Sequence, residues 1–119
     1  VIGHETARAL GVRAYFSERE DGVMTLRRGF EIKPGDKVAV VEDVITTGKS
    51  TGEVVALARS RGAQVLGAFS IVCRAASPAD IGVPVSSLIH MPLSAQPAER
   101  CELCRQGLPL VKPGSRTRS

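Results

Sequence analysis

Apolar spacing divides the chain into alternating helical and extended stretches. Ile2, Thr6, Ala9 and Leu10 recur on one side of a short amphipathic helix, with Glu5 and Arg8 on the other. Gly11 is placed to end it. Val12 to Phe16 is strand-like. Ser17 to Gly22 reads as a charged loop in which Asp21-Gly22 is a hairpin turn signal. Val23 to Arg27 alternates as the returning arm. Phe30 to Ile32 stays extended, and Lys33-Pro34-Gly35-Asp36 is a turn. Val38 to Val41 has no polar break and predicts a buried strand. Thr51 to Arg61 predicts a helix with Val54, Val55, Leu57 and Ala58 inward, Glu53, Arg59 and Arg61 wet, and Gly62 as its cap. Gln64 to Cys73 is a second buried strand, closed by Arg74, and Pro84 to His90 is a last short one. Beyond Met91 the prolines at 92, 97, 109 and 113 predict an extended tail with one turn. Residues 1–91 are therefore expected to form the core domain and 92–119 a tail.

Strands alternating with helices imply an α/β domain with a parallel sheet and right-handed crossovers. The opening helix of such a domain is ordinarily preceded by a strand and a turn, so something is expected in front of Val1.

The 119 residues suffice for one core. Three Phe, one Tyr and no Trp argue against a base-stacking surface for single-stranded nucleic acid. A net charge of +4, much of it in Lys112, Arg116, Arg118 and the Arg27-Arg28 pair, suits an anionic small molecule as well as nucleic acid. Three cysteines, an odd number, do not read as a disulfide framework. With no membrane-length apolar run and no signal peptide pattern, the expected compartment is the cytoplasm.

The chemistry concentrates in Val38–Thr51, V-A-V-V-E-D-V-I-T-T-G-K-S-T. A strand, the acids Glu42 and Asp43, then a loop of hydroxyls around Gly48 and a helix form the layout of a phosphate site at the carboxyl edge of a parallel sheet. Gly48 lets backbone approach a ligand, and the N–H groups opening the helix are free for an anion. The carboxylates suit sugar hydroxyls or a divalent cation. Gly48-Lys49-Ser50 imitates the end of a P-loop, but that motif needs glycine at 43, where Asp43 would repel phosphates. A nucleotide-triphosphatase is excluded on that ground.

The stretch resembles the PRPP-binding motif of type I phosphoribosyltransferases. Over nearly the whole chain, the order of pieces is similar to orotate phosphoribosyltransferase. Those pieces are G-H-E-T-A-R-A-L-G, S-E-R-E-D-G with L-R-R-G-F, V-V-E-D-V-I-T-T-G, the strand ending Cys73-Arg74, and C-E-L-C followed by K-P-G-S-R. The resemblance implies a parallel sheet flanked by helices with a protruding β-hairpin. It also implies Mg²⁺-dependent transfer from PRPP to orotate, giving orotidine 5′-monophosphate and pyrophosphate, in pyrimidine synthesis by a homodimer. By the same resemblance Glu42 and Asp43 hold the ribose hydroxyls, and PRPP contacts run through Val44, Ile45, Thr46, Thr47, Gly48, Lys49 and Ser50. Thr46 and Arg74 reach the orotate, Asp43 and Arg19 are the catalytic candidates, and Mg²⁺ is carried mainly by PRPP rather than by protein ligands. A guanidinium at 74 suits a carboxylate, which it grips in two parallel hydrogen bonds.

Two departures stand out. The family's loop over the pyrophosphate carries lysines and a histidine, whereas Ser17 to Gly22 offers Arg19 among three acids. The family's pyrophosphate turn and substrate hood precede the segment matched by the first helix, so the sugar-phosphate half of the site is what this chain is expected to hold. The alternatives are a phosphoribosyltransferase for a purine or uracil, or a PRPP-sensing regulator that binds nucleic acid. Cys101 and Cys104 could supply half a zinc site, with Cys73 and His90 as the remaining candidates; the expectation is no zinc. His4, His90 and the basic tail are expected to be structural or solvated, and Lys49 to act through its backbone N–H with its side chain solvated.

Overall fold

The computed structural model describes residues 1–77, 80–93 and 96–109. Helix α1 (Ile2–Leu10) ends on Gly11 in the left-handed region, as its sequence predicts. Its buried residue is Ala7, while Ala9 and Leu10 are exposed, so the face that packs lies about one position away from the predicted stripe. α1 leans on the strand β3 (Lys37–Ile45).

Val12 to Phe16 is not a strand. Tyr15 stacks on Phe30 and Phe16 meets the same ring edge-on, both with centroids 5.0 Å apart. Aromatic packing extends this segment, and among the described residues no strand pairs with it. The charged stretch expected as a loop forms β1 (Ser17–Glu20), antiparallel to β2 (Val23–Leu26). The physical reason is the turn: Asp21 and Gly22 both have positive φ, and a two-residue turn of that hand pairs Glu20 directly with Val23. The hairpin is a separate two-stranded sheet whose second strand touches the helix α2 (Lys49–Ser60).

The main sheet has the order β3-β4-β5, all parallel, with β4 (Gln64–Cys73) central and β5 (Val85–His90) beside it. The acids do not follow β3; they lie inside it, because its ladder to β4 continues to Ile45 opposite Cys73. α2 likewise starts at Lys49, two residues before the predicted Thr51. One rung of the sheet, Val40, Ala68 and Val85, packs under Val55 and Val54 of α2, and Val65, Ile81 and Val83 complete that core.

The strands are less buried than the apolar runs predict. On the opposite face Phe69, Ile71 and Leu88 stay exposed, Leu88 by 84%. An uninterrupted apolar run implies cover on both faces, and the described residues supply it chiefly on the α2 face.

The end of α2 is stitched to the 33–36 turn. Gly35 donates to the carbonyl of Gly62 at 2.8 Å, and Gln64 donates to Asp36 at 2.8 Å. A Cβ on Gly62 would stand 3.0 Å from the Cα of Pro34, and its φ is +81°, so only glycine fits this crossing. These bonds start β3 and β4 level with each other. Past β5, Met91 and Leu93 continue to donate to Cys73 and Arg74. The tail then makes a 3₁₀ turn, Ala98–Arg100, and a short helix, α3 (Glu102–Arg105), more helix than the prolines suggest. Lys112, Arg116 and the K-P-G-S-R match lie outside the described residues.

Candidate functional site

β3 and β4 begin level, and the register shift between Val38 and Ala39 takes up the one extra residue of β4, so they also end level, Ile45 opposite Cys73. The N–H of Arg74 donates to the carbonyl of Ile45 at 2.8 Å, which brings the residue after β4 next to the residue after β3, Thr46. Ile45 and Cys73 are buried beneath this edge, whereas Thr46 and Arg74 are exposed above it. Thr46, Thr47 and Gly48 make the whole connection from β3 to α2. Gly48 is the N-cap at φ 77°, ψ 0°, is itself buried, and contributes no side chain to cap the helix. The first intrahelical bond runs from the N–H of Gly52 to the carbonyl of Gly48 at 2.7 Å. The Lys49 N–H has a long contact of 3.4 Å to the Thr47 hydroxyl. The N–H groups opening a helix have no intrahelical acceptor. With no acid in the first turn of α2, its positive end is left for an anion.

Neighbouring residues of a strand point to opposite faces, so Glu42 and Asp43 are not equivalent. Asp43 is exposed, and one of its oxygens accepts from the Val44 N–H at 2.8 Å. Glu42 is half-buried on the α2 side, level with Ser70 and Ser87 across the sheet. Burial pushes its carboxyl above the usual value, the Asp43 charge pushes the same way, and the Thr51 hydroxyl pulls back. Of the remaining expected PRPP contacts, Val44, Thr47, Lys49 and Ser50 are exposed around the bend. Ile45 keeps its side chain in the core and its carbonyl on Arg74, so it shapes the loop from below.

The structure does not bring Arg19 to this loop. Its guanidinium is paired with Glu53, one turn into α2, and donates to the carbonyl of Gly22 at 2.7 Å. Arg27 and Arg28 are occupied by acids of their own hairpin, Arg28 standing 3.5 Å from Glu18 and over the Phe16 ring. Two residues level with Glu42 across the sheet, Ser70 and Ser87, were not among the expected site residues. A lone serine inside A-F-S-I-V-C was the available signal, since an apolar run seldom carries a hydroxyl without a partner.

Among the described residues no group of three or more His, Cys, Asp or Glu could hold a metal ion. The His90 ring contacts the Ala75 carbonyl at 2.8 Å. Cys73 is buried at the end of β4, and Cys101 and Cys104 are together in the tail, where the Cys104 N–H and thiol lower the Cys101 pKa. Glu42 and Asp43 point to opposite faces of β3 and form no paired ligand set, so a Mg²⁺ at this edge would take its ligands mainly from a bound phosphate and water. No described helix is long and apolar enough to cross a membrane.

No family model matches the chain. It is similar, over 98% of its length, to orotate phosphoribosyltransferases of known bacteria. Identity is 53% with that of Caldanaerobacter subterraneus subsp. tengcongensis and 51% with that of Carboxydothermus hydrogenoformans. It is 51% with that of Thermotoga maritima. The chain spans about 61% of the length of the first two and 62% of the third. Among solved structures, the orotate phosphoribosyltransferase of Aeropyrum pernix superimposes with a TM-score of 0.60 at 25% identity, over 73% of this chain and 52% of that one. Fold and sequence point the same way: the chain resembles orotate phosphoribosyltransferases over about 61% of their length.

Proposed function

We propose that this chain forms the sugar-phosphate and base-recognition part of an orotate phosphoribosyltransferase, acting on PRPP and orotate in pyrimidine synthesis. The observation that carries the reading is the 2.8 Å bond between Arg74 and Ile45, which sets a cation and a phosphate-type loop side by side. The helix-opening N–H groups and the hydroxyls of Thr46, Thr47 and Ser50 take the 5′-phosphate. Glu42 and Asp43, on either face of β3, meet the ribose hydroxyls. Arg74 grips the carboxylate of orotate and Thr46 touches the base, which fixes the ring over the sugar carbon.

In the transfer, the bond from the anomeric carbon to pyrophosphate breaks while the bond from the base nitrogen forms, and the proton of that nitrogen leaves to water or to the departing pyrophosphate. Positive charge grows on the sugar ring, and the Asp43 carboxylate stabilises it without becoming a nucleophile. Mg²⁺, bound with PRPP, supplies charge stabilisation to the leaving pyrophosphate. Arg19 can serve that group after its pair with Glu53 opens. The family resemblance supports a homodimer, and the free cysteines suit a reducing cytoplasm.

Calorimetric titration with PRPP and Mg²⁺, followed by orotate, tests the reading. Saturable PRPP binding is expected, with orotate preferred over uracil and adenine. Absence of PRPP and ribose 5-phosphate binding would overturn it. Salt-dependent RNA or DNA retention on filters would favour the regulator instead.

A further inference from the structure

The last rung of the sheet sets Cys73 of β4 opposite Ile45 on one side and His90 on the other. The main chain beyond it is still held from both sides. The Arg74 N–H donates to the Ile45 carbonyl at 2.8 Å, and the Arg74 carbonyl accepts from the Leu93 N–H at 3.1 Å. The Cys73 carbonyl accepts from the Met91 N–H at 2.9 Å. One residue further, the Ala75 carbonyl lies 2.8 Å from Nε2 of His90. A carbonyl oxygen only accepts, so Nε2 carries a proton and donates it to this bond. Of these ties, the one from His90 is made by a side chain.

Arg74 is exposed, so its side chain takes its place from the main chain beneath it rather than from a core. A guanidinium that makes two parallel bonds to a carboxylate needs its root in one place. The long side chain already gives up rotamer freedom on binding, and a loose root would add backbone freedom to that loss. We infer that His90 is a positioning residue for base recognition: by holding the Ala75 carbonyl it fixes the segment that carries Arg74. That segment is then braced from β3 through the Arg74 N–H and from the end of β5 through Ala75. The brace from β5 serves the base and not the phosphate, because the Thr46–Gly48 bend hangs between β3 and α2, and the ties from residues 90–93 end on Cys73, Arg74 and Ala75. The inference rests on the reading of Arg74 as the group that grips the orotate carboxylate.

Calorimetry with orotate and with ribose 5-phosphate separates this role from a structural one. His90→Phe keeps a planar ring and removes the donor. It should weaken orotate by about two- to tenfold, the scale of one uncharged hydrogen bond, and leave ribose 5-phosphate unchanged. His90→Gln, which puts an amide N–H near the place of Nε2, should recover orotate binding. Adding His90→Phe to Arg74→Ala should cost nothing further, because the group being positioned is gone. Equal weakening of both ligands, or no weakening of orotate, overturns the inference. A His90→Gln protein as weak as His90→Phe would show that the donor is not what matters, and overturns it too. Wild-type protein that binds ribose 5-phosphate but takes orotate no better than uracil would sink the reading of Arg74 itself, and this inference with it. If His90→Phe does not fold, His90→Ala carries the same expectation, and unchanged orotate affinity in that variant is decisive against it.

Discussion

Arg74 and Ile45 share a 2.8 Å backbone hydrogen bond although 29 positions separate them in sequence, as their numbers show. The bond is made by main chain, so it survives changes of the Arg74 side chain. Arg74→Ala should therefore fold normally, keep ribose 5-phosphate affinity and lose orotate affinity by about 10- to 100-fold, the worth of a charge-assisted hydrogen bond. Arg74→Lys should recover little of it, since an ammonium cannot make the paired contact. Calorimetry with each ligand separately checks both outcomes.

Asp43 is exposed at the end of β3, so its carboxylate is not part of the core. Asp43→Asn should change unfolding free energy by no more than about 0.5 kcal/mol, as surface substitutions do. If the proposed transfer is right, orotate turnover should fall by about 10²-fold or more, the scale of one lost electrostatic contact to the transition state. Orotate consumption followed by absorbance, beside a thermal melt, reads the two effects. Wild-type turnover would remove Asp43 from the mechanism.

The raised pKa of Glu42 has a consequence for stability, chiefly through burial and then through Asp43. The folded chain takes up that proton more readily than the unfolded chain, so the ionised carboxyl opposes folding at neutral pH. The opposition fades as pH falls through the raised value and is gone below 4.5, the ordinary value. Glu42→Gln should accordingly raise the melting temperature at pH 7, with the gain shrinking steadily toward pH 4.5. A gain that grows with acidity would contradict the sign.

Gly48 holds φ 77° at the N-cap of α2 and is buried. A left-handed backbone costs a residue with a Cβ about 1–2 kcal/mol. Gly48→Ala should destabilise by that amount and weaken inorganic phosphate more than any change at Glu42 does. Denaturant melts and phosphate titration measure it.

The Arg19–Glu53 pair crosses between the hairpin and α2, with both side chains partly exposed. Exposed pairs contribute about 0–1 kcal/mol, so Glu53→Gln should barely move the melting temperature. It should speed tryptic cleavage after Arg19, because the hairpin loses one of its ties to the helix. Unchanged cleavage would show that the pair does not hold the hairpin.

Much of this protein was legible in the order of its residues. The periods of β3, α2 and β4 are written in runs such as Val38–Val41 and Val54–Ala58, and local sterics decide such elements. Asp21-Gly22 and the Thr46–Gly48 bend carry their turn chemistry in the residues themselves. The third dimension decided what depends on partners. Ser17–Glu20 became a strand because the turn put β2 beside it, and Val12–Phe16 did not because no strand among the described residues pairs with it. Arg19 found Glu53, and Ser70 found Ser87, through contacts that span 34 and 17 positions. Glu42 and Asp43, adjacent in the sequence, were parted by the alternation of a strand whose ladder extends to Ile45. Local residue types set which elements form, whereas the chemistry of a side chain depends on what the crossovers bring against it.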